Sequence, residues 1–282
     1  MRDSRFLRFG VVWLALLGFC ATLVAKGQQS SGPAVSSGTA PLPLDQVVKN
    51  LEARNAQRTA ALEQFEGQRV YRMEYRGFPS NRDAEMVVKV SFRAPNAKNF
   101  DVVSETGSKF IIDHVFKKLL EGEQEAAKSD YRQQTALTSD NYDFELARYD
   151  ESSDGGQYVL NLLPKSKNKF LYRGQIWVDS KDFAVVRIEG EPAKNPSMWI
   201  KKTDIAHRYV KVDDFWLPAE NHTESVIRLG GKAILSIEYR DYKIIKASPL
   251  NADHRTRQVG DSAFVDVVSA PVVQPQSAKP AQ

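Results

Sequence analysis

Between Phe170 and Ile244 apolar residues recur at every second position through five successive segments: Tyr172–Val178, Ala184–Glu189, Met198–Val210, Phe215–Leu229 and Ala233–Ile244. Runs rich in Asp, Gly and Pro separate them, and Gly230-Gly231 supplies a tight hairpin because glycine takes positive φ without steric cost. Period-2 alternation bounded by such turns predicts an antiparallel meander with one buried face. That face carries Ile176, Val178, Ala184, Val186 and Ile188, then Trp199, Ile205 and Tyr209. It continues through Leu217, Ala219, Thr223, Ile227 and Leu229 to Leu235, Ile237 and Tyr239. Lys202, Asp204, Arg208, Glu220, Glu224, Arg228, Glu238 and Arg240 fall on the other side. Segregation of this kind makes one face dry and the other wet. The dry face is either a sealed core or a groove that admits a ligand. For a groove, the expected lining is Ile176, Val186, Trp199, Leu217, Ile227, Leu235 and Ile237. Trp177 and Trp216 fall on the opposite face.

Something must cover a long curved apolar sheet, and the sequence offers two helices. The first is expected over Asp45–Glu66, with Asp45 as its cap, Gly67 as its stop and a stripe of Val48, Leu51, Leu62 and Phe65 broken by Asn55 and Arg58. The second is expected over Ser108–Lys128, with Phe110, Ile111, Val115, Leu119 and Leu120 inward and Lys117, Lys118, Glu121, Glu123 and Glu125 outward. The expected lid residues are therefore Val48, Leu51, Leu62, Phe65, Ile111, Val115 and Leu119. Further strands are expected at 69–76, 84–92, 99–104, 143–149 and 157–163. The order of elements predicts an α+β fold: an incomplete antiparallel β-barrel of about ten strands whose open apolar face is covered by helices.

The flanks read differently. Residues 1–27 have the form of a secretory signal, with Arg2, Arg5 and Arg8 ahead of an uncharged run from Phe9 to Ala25 and small residues at Ala25 and Gly27. Export with cleavage near residues 25–27 places the mature chain outside the cytoplasm. Residues 28–44 read as a flexible linker, 45–247 as the folded domain and 248–282 as a low-complexity, largely disordered tail. Without the signal, 39 basic and 35 acidic residues become 35 and 34, so the chain has no basic excess to bind nucleic acid. The only cysteine, Cys20, goes with the signal, which removes thiol catalysis and cysteine metal sites from the mature protein.

Nothing in the sequence spells out catalysis. The four histidines His114, His207, His222 and His254 lack metal-ligand spacing, and no HExxH, GxSxG or GxxxxGK[ST] motif is present. His207 falls on the apolar side of its strand and His222 on the polar side, which keeps them apart. The sequence therefore predicts no catalytic residue, no metal site and no cofactor.

Several short motifs carry a family resemblance over roughly residues 45–245. Phe92-Arg93-Ala94-Pro95 with Phe100, Leu163-Pro164-Lys165, Gly174–Asp179 with Val185-Val186-Arg187, and Phe215-Trp216-Leu217-Pro218 resemble the LolA/LolB lipoprotein-localisation superfamily, which includes the RseB/MucB sensor domain. The resemblance implies a periplasmic half-barrel enclosing an apolar cavity for acyl chains, with an acyl lipid or lipoprotein as partner. A sensor or adaptor of RseB type, working with an inner- or outer-membrane partner protein, is the alternative that it implies. Where the carrier has an Arg directly before the Pro to lock its lid, this chain has Ala94, with Arg93 one residue earlier.

Overall fold

The computed structural model describes residues 41–126, 131–153, 155–195, 197–228 and 230–250, all within the unit that begins at Pro41. The expected signal segment, Cys20, most of the linker and nearly all of the tail lie outside the described residues.

Helix α1 (Leu44–Ala61) opens the described chain. Its first turn starts from the Pro43 carbonyl, which accepts from the N–H groups of Gln46 and Val47, so Asp45 lies inside the first turn and is not the cap. Val47, Val48 and Leu51 are buried, and Arg58, two turns on from Leu51, is buried with them.

Ten strands follow: β1 (Leu62–Gly77), β2 (Arg82–Arg93), β3 (Ala97–Gly107), β4 (Tyr142–Ser152), β5 (Gly155–Pro164), β6 (Tyr172–Asp179), β7 (Val185–Pro192), β8 (Ile200–Val212), β9 (Phe215–Ile227) and β10 (Gly231–Ala247). Between β3 and β4 lie α2 (Lys109–Ile111), a π-helical turn (Ile112–Phe116), α3 (Lys117–Ala126) and α4 (Tyr131–Thr135). The strands form one open antiparallel sheet in the order β3-β2-β1-β10-β9-β8-β7-β6-β5-β4. This is the incomplete barrel of the α+β type that the alternation predicts. Its two edges, β3 and β4, are consecutive in sequence, so the helical connection between them runs from one edge of the sheet to the other.

The first helix ends five residues earlier than the spacing predicts. Leu62 and Phe65 belong to β1, where Leu62 pairs with Ala247 and Phe65 with both Phe92 and Ile244. Register shifts between Leu62 and Gln68 break the period-2 pattern at the start of β1, and apolar residues three apart then imitate a helix. Gly67 is inside β1, where an added Cβ would meet the Tyr242 ring at 3.2 Å. The second expected helix is present but not uniform. The Lys117 N–H bonds back to the Ile112 carbonyl, five residues earlier, which makes the wide central turn. Phe110 is not part of its buried stripe: it is half exposed and stacks on His114 at 4.6 Å.

Candidate functional site

The paired residues of nine strands make a single row across the inward face. It reads Met86, Tyr71, Ile237, Asn221, His207, Ile188, Ile176, Leu160 and Leu146, from β2 to β4. Every member except Leu146 is buried. On one side of the row, Leu160, Ile176 and Ile188 pack with Val47, Val48 and Leu51 of α1. On the other, Met86, Tyr71 and Ile237 pack with Ile111, Ile112, Val115, Phe116, Leu119 and Leu120 of the helical connection. A third cluster, Ala61, Leu62, Phe215 and Leu217 with Phe65, Tyr242 and Ile244 against it, closes one end. The concave face is thus apolar on both flanks, and each flank has its own helical cover.

Between the flanks the row turns polar. His207 and Asn221 are cross-strand partners, 1% and 3% exposed. Neither ring nitrogen of His207 has a hydrogen-bond partner, nor has Asn221 Oδ1. Asn221 Nδ2 donates to the Tyr239 hydroxyl at 2.8 Å, and the Tyr172 ring meets His207 edge-on at 5.7 Å. Burial lowers the His207 pKa to about 4, so the imidazole is neutral at pH 7. Burial likewise raises the Tyr209 and Tyr239 hydroxyls, which stay protonated. Beside Ile205, on the same face of β8 and β9, Thr203 and Ser225 share a buried hydrogen bond of 3.0 Å.

Polar contacts continue past Tyr239. The Arg69 guanidinium lies 4.8 Å from the Tyr239 ring centroid and 5.4 Å from that of Phe100. Arg69 Nη1 donates to both Glu123 oxygens, at 2.8 and 2.9 Å, and to the Tyr71 hydroxyl at 3.0 Å. Lys98 Nζ completes the group at 2.9 Å from Glu123 Oε2. All three charged side chains are buried. Burial alone would raise the Glu123 carboxyl, but the two cations and their hydrogen bonds outweigh it and bring the pKa to about 2. Two cations and one carboxylate thus fasten α3 to β1 and β3. The second cover has its own fastening. Arg58 of α1 donates to the carbonyls of Asp182 and Phe183 at 2.9 Å each, in the β6–β7 turn, and burial lowers its pKa to about 10. Asp182 in turn accepts from Trp216 Nε1 at 2.8 Å and pairs with Lys211.

The expected lining residues divide among these regions. Ile176 is in the α1 flank, Leu235 and Ile237 are in the flank under the helical connection, and Leu217 is in the third cluster. Ile227 is half-buried near the end of β9. Val186 and Trp199 are corrected by β-bulges. The pairs Trp177–Arg187 and Val178–Val185 leave Val186 as the extra residue, and Val185 takes the inward place. A shift between Ile200 and Lys202 does the same for β8: Ile200 is buried, while Trp199 precedes the strand and is 39% exposed. Among the expected lid residues, Val48 and Leu51 are on α1 and Ile111, Val115 and Leu119 on the helical connection, all buried. Leu62 and Phe65 belong to the sheet instead.

Arg69 and Lys98 carry no expectation from the sequence, and Glu123, expected on the outward face of the second helix, is buried instead. Their signal lies in spacing. Glu123 follows Leu119 by four residues, Arg69 precedes Tyr71 by two, and Lys98 precedes Phe100 by two, each on the line of an inward stripe. Among the described residues, no three His, Cys, Asp or Glu side chains group as metal ligands would. His222 bonds Ser236 on the other face of the sheet from His207.

No protein-family model and no curated protein matches the chain. Several solved structures are similar to it. A DUF1329 family protein from Desulfovibrio piger is 12% identical, with 73% of this chain and 94% of the other covered and a TM-score of 0.35. A LolA superfamily protein from Nitrosomonas europaea is 10% identical, with 72% and 94% covered and a TM-score of 0.31. The MucA/MucB complex of Pseudomonas aeruginosa is 9% identical, with 68% and 93% covered and a TM-score of 0.24.

Proposed function

We propose that this protein binds the acyl chain of a lipid or lipoprotein between its concave sheet and the helices over it, as a carrier in the bacterial envelope. One observation supports this reading above the others. The inward apolar row is covered by two separate helical elements, and where the flanks meet both His207 ring nitrogens and Asn221 Oδ1 are buried without a hydrogen-bond partner. A sealed core satisfies its buried polar groups. An interior that opens to take a ligand can present such atoms for the ligand to bond. Ile176, Leu217, Leu235 and Ile237 are the inward residues nearest such a chain, and an apolar wall needs no charged anchor to hold it. The signal-like N-terminus supports a periplasmic location for this activity.

Chain length provides the test. Each buried methylene contributes about 0.8 kcal/mol, so two more carbons should tighten binding roughly tenfold. Displacement of a fluorescent apolar dye by a series of alkyl esters would measure this. Ile237→Glu, which sets a charge in the row, should abolish binding. Affinity independent of chain length, or the absence of dye binding, would leave the interior as an ordinary core.

A second reading has its own observation. Val102 and Val103 stand about half exposed on the edge strand β3, whose free edge can pair with a strand from another protein. A sensor or adaptor using that edge would co-purify with a protein partner, whereas a carrier would be recovered free and lipid-loaded.

A further inference from the structure

We propose that His207 and Asn221 form a subsite for the uncharged diol of a glycerol ester, so that the preferred ligand is a monoacylglycerol-type amphiphile. The inference rests on the acyl-binding reading above and adds a head-group chemistry to it.

The position comes first. His207 and Asn221 are the only polar pair in a row that is otherwise Met86, Tyr71, Ile237, Ile188, Ile176, Leu160 and Leu146. Both side chains are buried, and they sit where the two flanks meet. A sheet position of this kind would accept Leu or Val readily, whereas an unpaired buried polar atom weakens the fold. Three such atoms on two paired residues mark a place where something else supplies the hydrogen bonds.

The available atoms then define the occupant. A neutral imidazole offers one N–H donor and one ring-nitrogen acceptor, and Asn221 Oδ1 offers a further acceptor. Asn221 Nδ2 is already engaged with the Tyr239 hydroxyl. The pair therefore presents one donor and two acceptors, without net charge. An ionised carboxylate or phosphate has acceptors alone and would leave Oδ1 and one ring nitrogen facing lone pairs. The charged groups beyond Tyr239 do not help such an anion, because Arg69 and Lys98 are engaged by Glu123. Two uncharged tyrosines contact the pair: Tyr172 edge-on to the imidazole and Tyr239 bonded to the amide. A diol matches this arrangement. Its two hydroxyls donate to Asn221 Oδ1 and to the acceptor nitrogen of His207. The apolar row on either side takes the acyl chain.

The experiment compares three ligands with the same twelve-carbon chain: 1-monolauroylglycerol, methyl laurate and laurate. Each displaces a fluorescent apolar dye from the mature full-length protein below its micellar concentration. Wild type should bind the monoacylglycerol at least tenfold more tightly than either of the others. His207→Phe should bring the monoacylglycerol to the level that methyl laurate shows on the same variant. His207→Gln, which keeps a donor and an acceptor, should retain part of the preference, and near-ultraviolet circular dichroism checks that each variant is folded. Equal affinity for the three ligands, tightest binding of laurate, or a preference that survives His207→Phe would overturn the diol subsite while acyl binding stands. Failure of wild type to bind the dye or any of the three would overturn both readings.

Discussion

Replacing Glu123 by Gln takes one negative charge from a site where two cations and one carboxylate are buried together. The expected loss can be reached in two ways. Removing one partner of a buried, hydrogen-bonded pair costs about 3–5 kcal/mol, since the remaining charge stays buried without its counterion. The carboxyl itself titrates at about 2 in the fold against an ordinary value of 4.5. At about 1.4 kcal/mol per pKa unit, that difference corresponds to roughly 3 kcal/mol of stability above pH 4.5. A depressed carboxyl pKa stabilises fully above the unfolded value, and the contribution is lost as pH falls through the folded one. Urea unfolding followed by tryptophan fluorescence should therefore show Glu123→Gln less stable by roughly 3 kcal/mol at pH 7. It should also lack the part of the wild-type decline that falls between about pH 4.5 and 2. Lys98→Met leaves the Arg69–Glu123 pair balanced and should cost clearly less. Because Glu123 fastens α3 to the sheet, hydrogen exchange in Lys117–Ala126 should accelerate in the Gln variant before the β6–β9 strands respond. A Gln variant as stable as wild type, with an unchanged acid limb, would refute the reasoning.

His207 should produce a separate acid transition. Its pKa is about 4 in the fold against 6.5 in the unfolded chain, so the unfolded state binds the extra proton and stability falls as pH drops. The loss should reach roughly 3 kcal/mol between pH 6.5 and 4, and urea titrations of His207→Phe should lack that part of the wild-type decline. Leu51→Ala, at a fully buried position where α1 meets the sheet, should cost about 2–5 kcal/mol in the same assay. Gly190 faces Gly174 across β6 and β7, and a Cβ on it would meet the Arg173 carbonyl at 2.1 Å. Gly190→Ala should therefore lower the unfolding midpoint by the equivalent of about 1–3 kcal/mol.

The meander was legible because alternation survives wherever the pairing register is regular. Leu217, Asn221 and Ser225 on β9, and Ile205 and His207 on β8, all lie inward as odd-numbered positions. It failed where one strand carries an extra residue, at Val186 and before Thr203, since a bulge exchanges faces without any mark in composition. The end of α1 was misread for the same reason, through the irregular start of β1. By spacing Arg58 breaks the helical stripe, yet its guanidinium reaches the Asp182 and Phe183 carbonyls and is buried. Glu123 was placed on the solvent side although it extends the Ile111–Val115–Leu119 line by one turn. A charge on an apolar stripe has meaning only beside its partner, and Arg69 and Lys98 arrive from strands far from it in the chain. Of the polar centre, His207 was assigned its correct face from spacing alone. Its pairing with Asn221 could not be seen until the β8–β9 register was known.

The position of β10 governs the order in which the sheet can be made. Strands β4–β9 join neighbour to neighbour, and β1–β3 form a small meander of their own. The two halves meet only through β10, which bonds β1 on one side and β9 on the other, and Arg72 and Glu238 in that junction are 166 residues apart. Pairing over such a separation is slow, because a long loop must close before any contact rewards it. Until Gly231–Ala247 has emerged, β1 and β9 each present a free edge beside an apolar surface, the condition under which chains join one another instead of themselves. A ribosome delivering this protein N-terminus first releases the joining strand after the other nine, and a chain interrupted before it should aggregate as two unmated half-sheets.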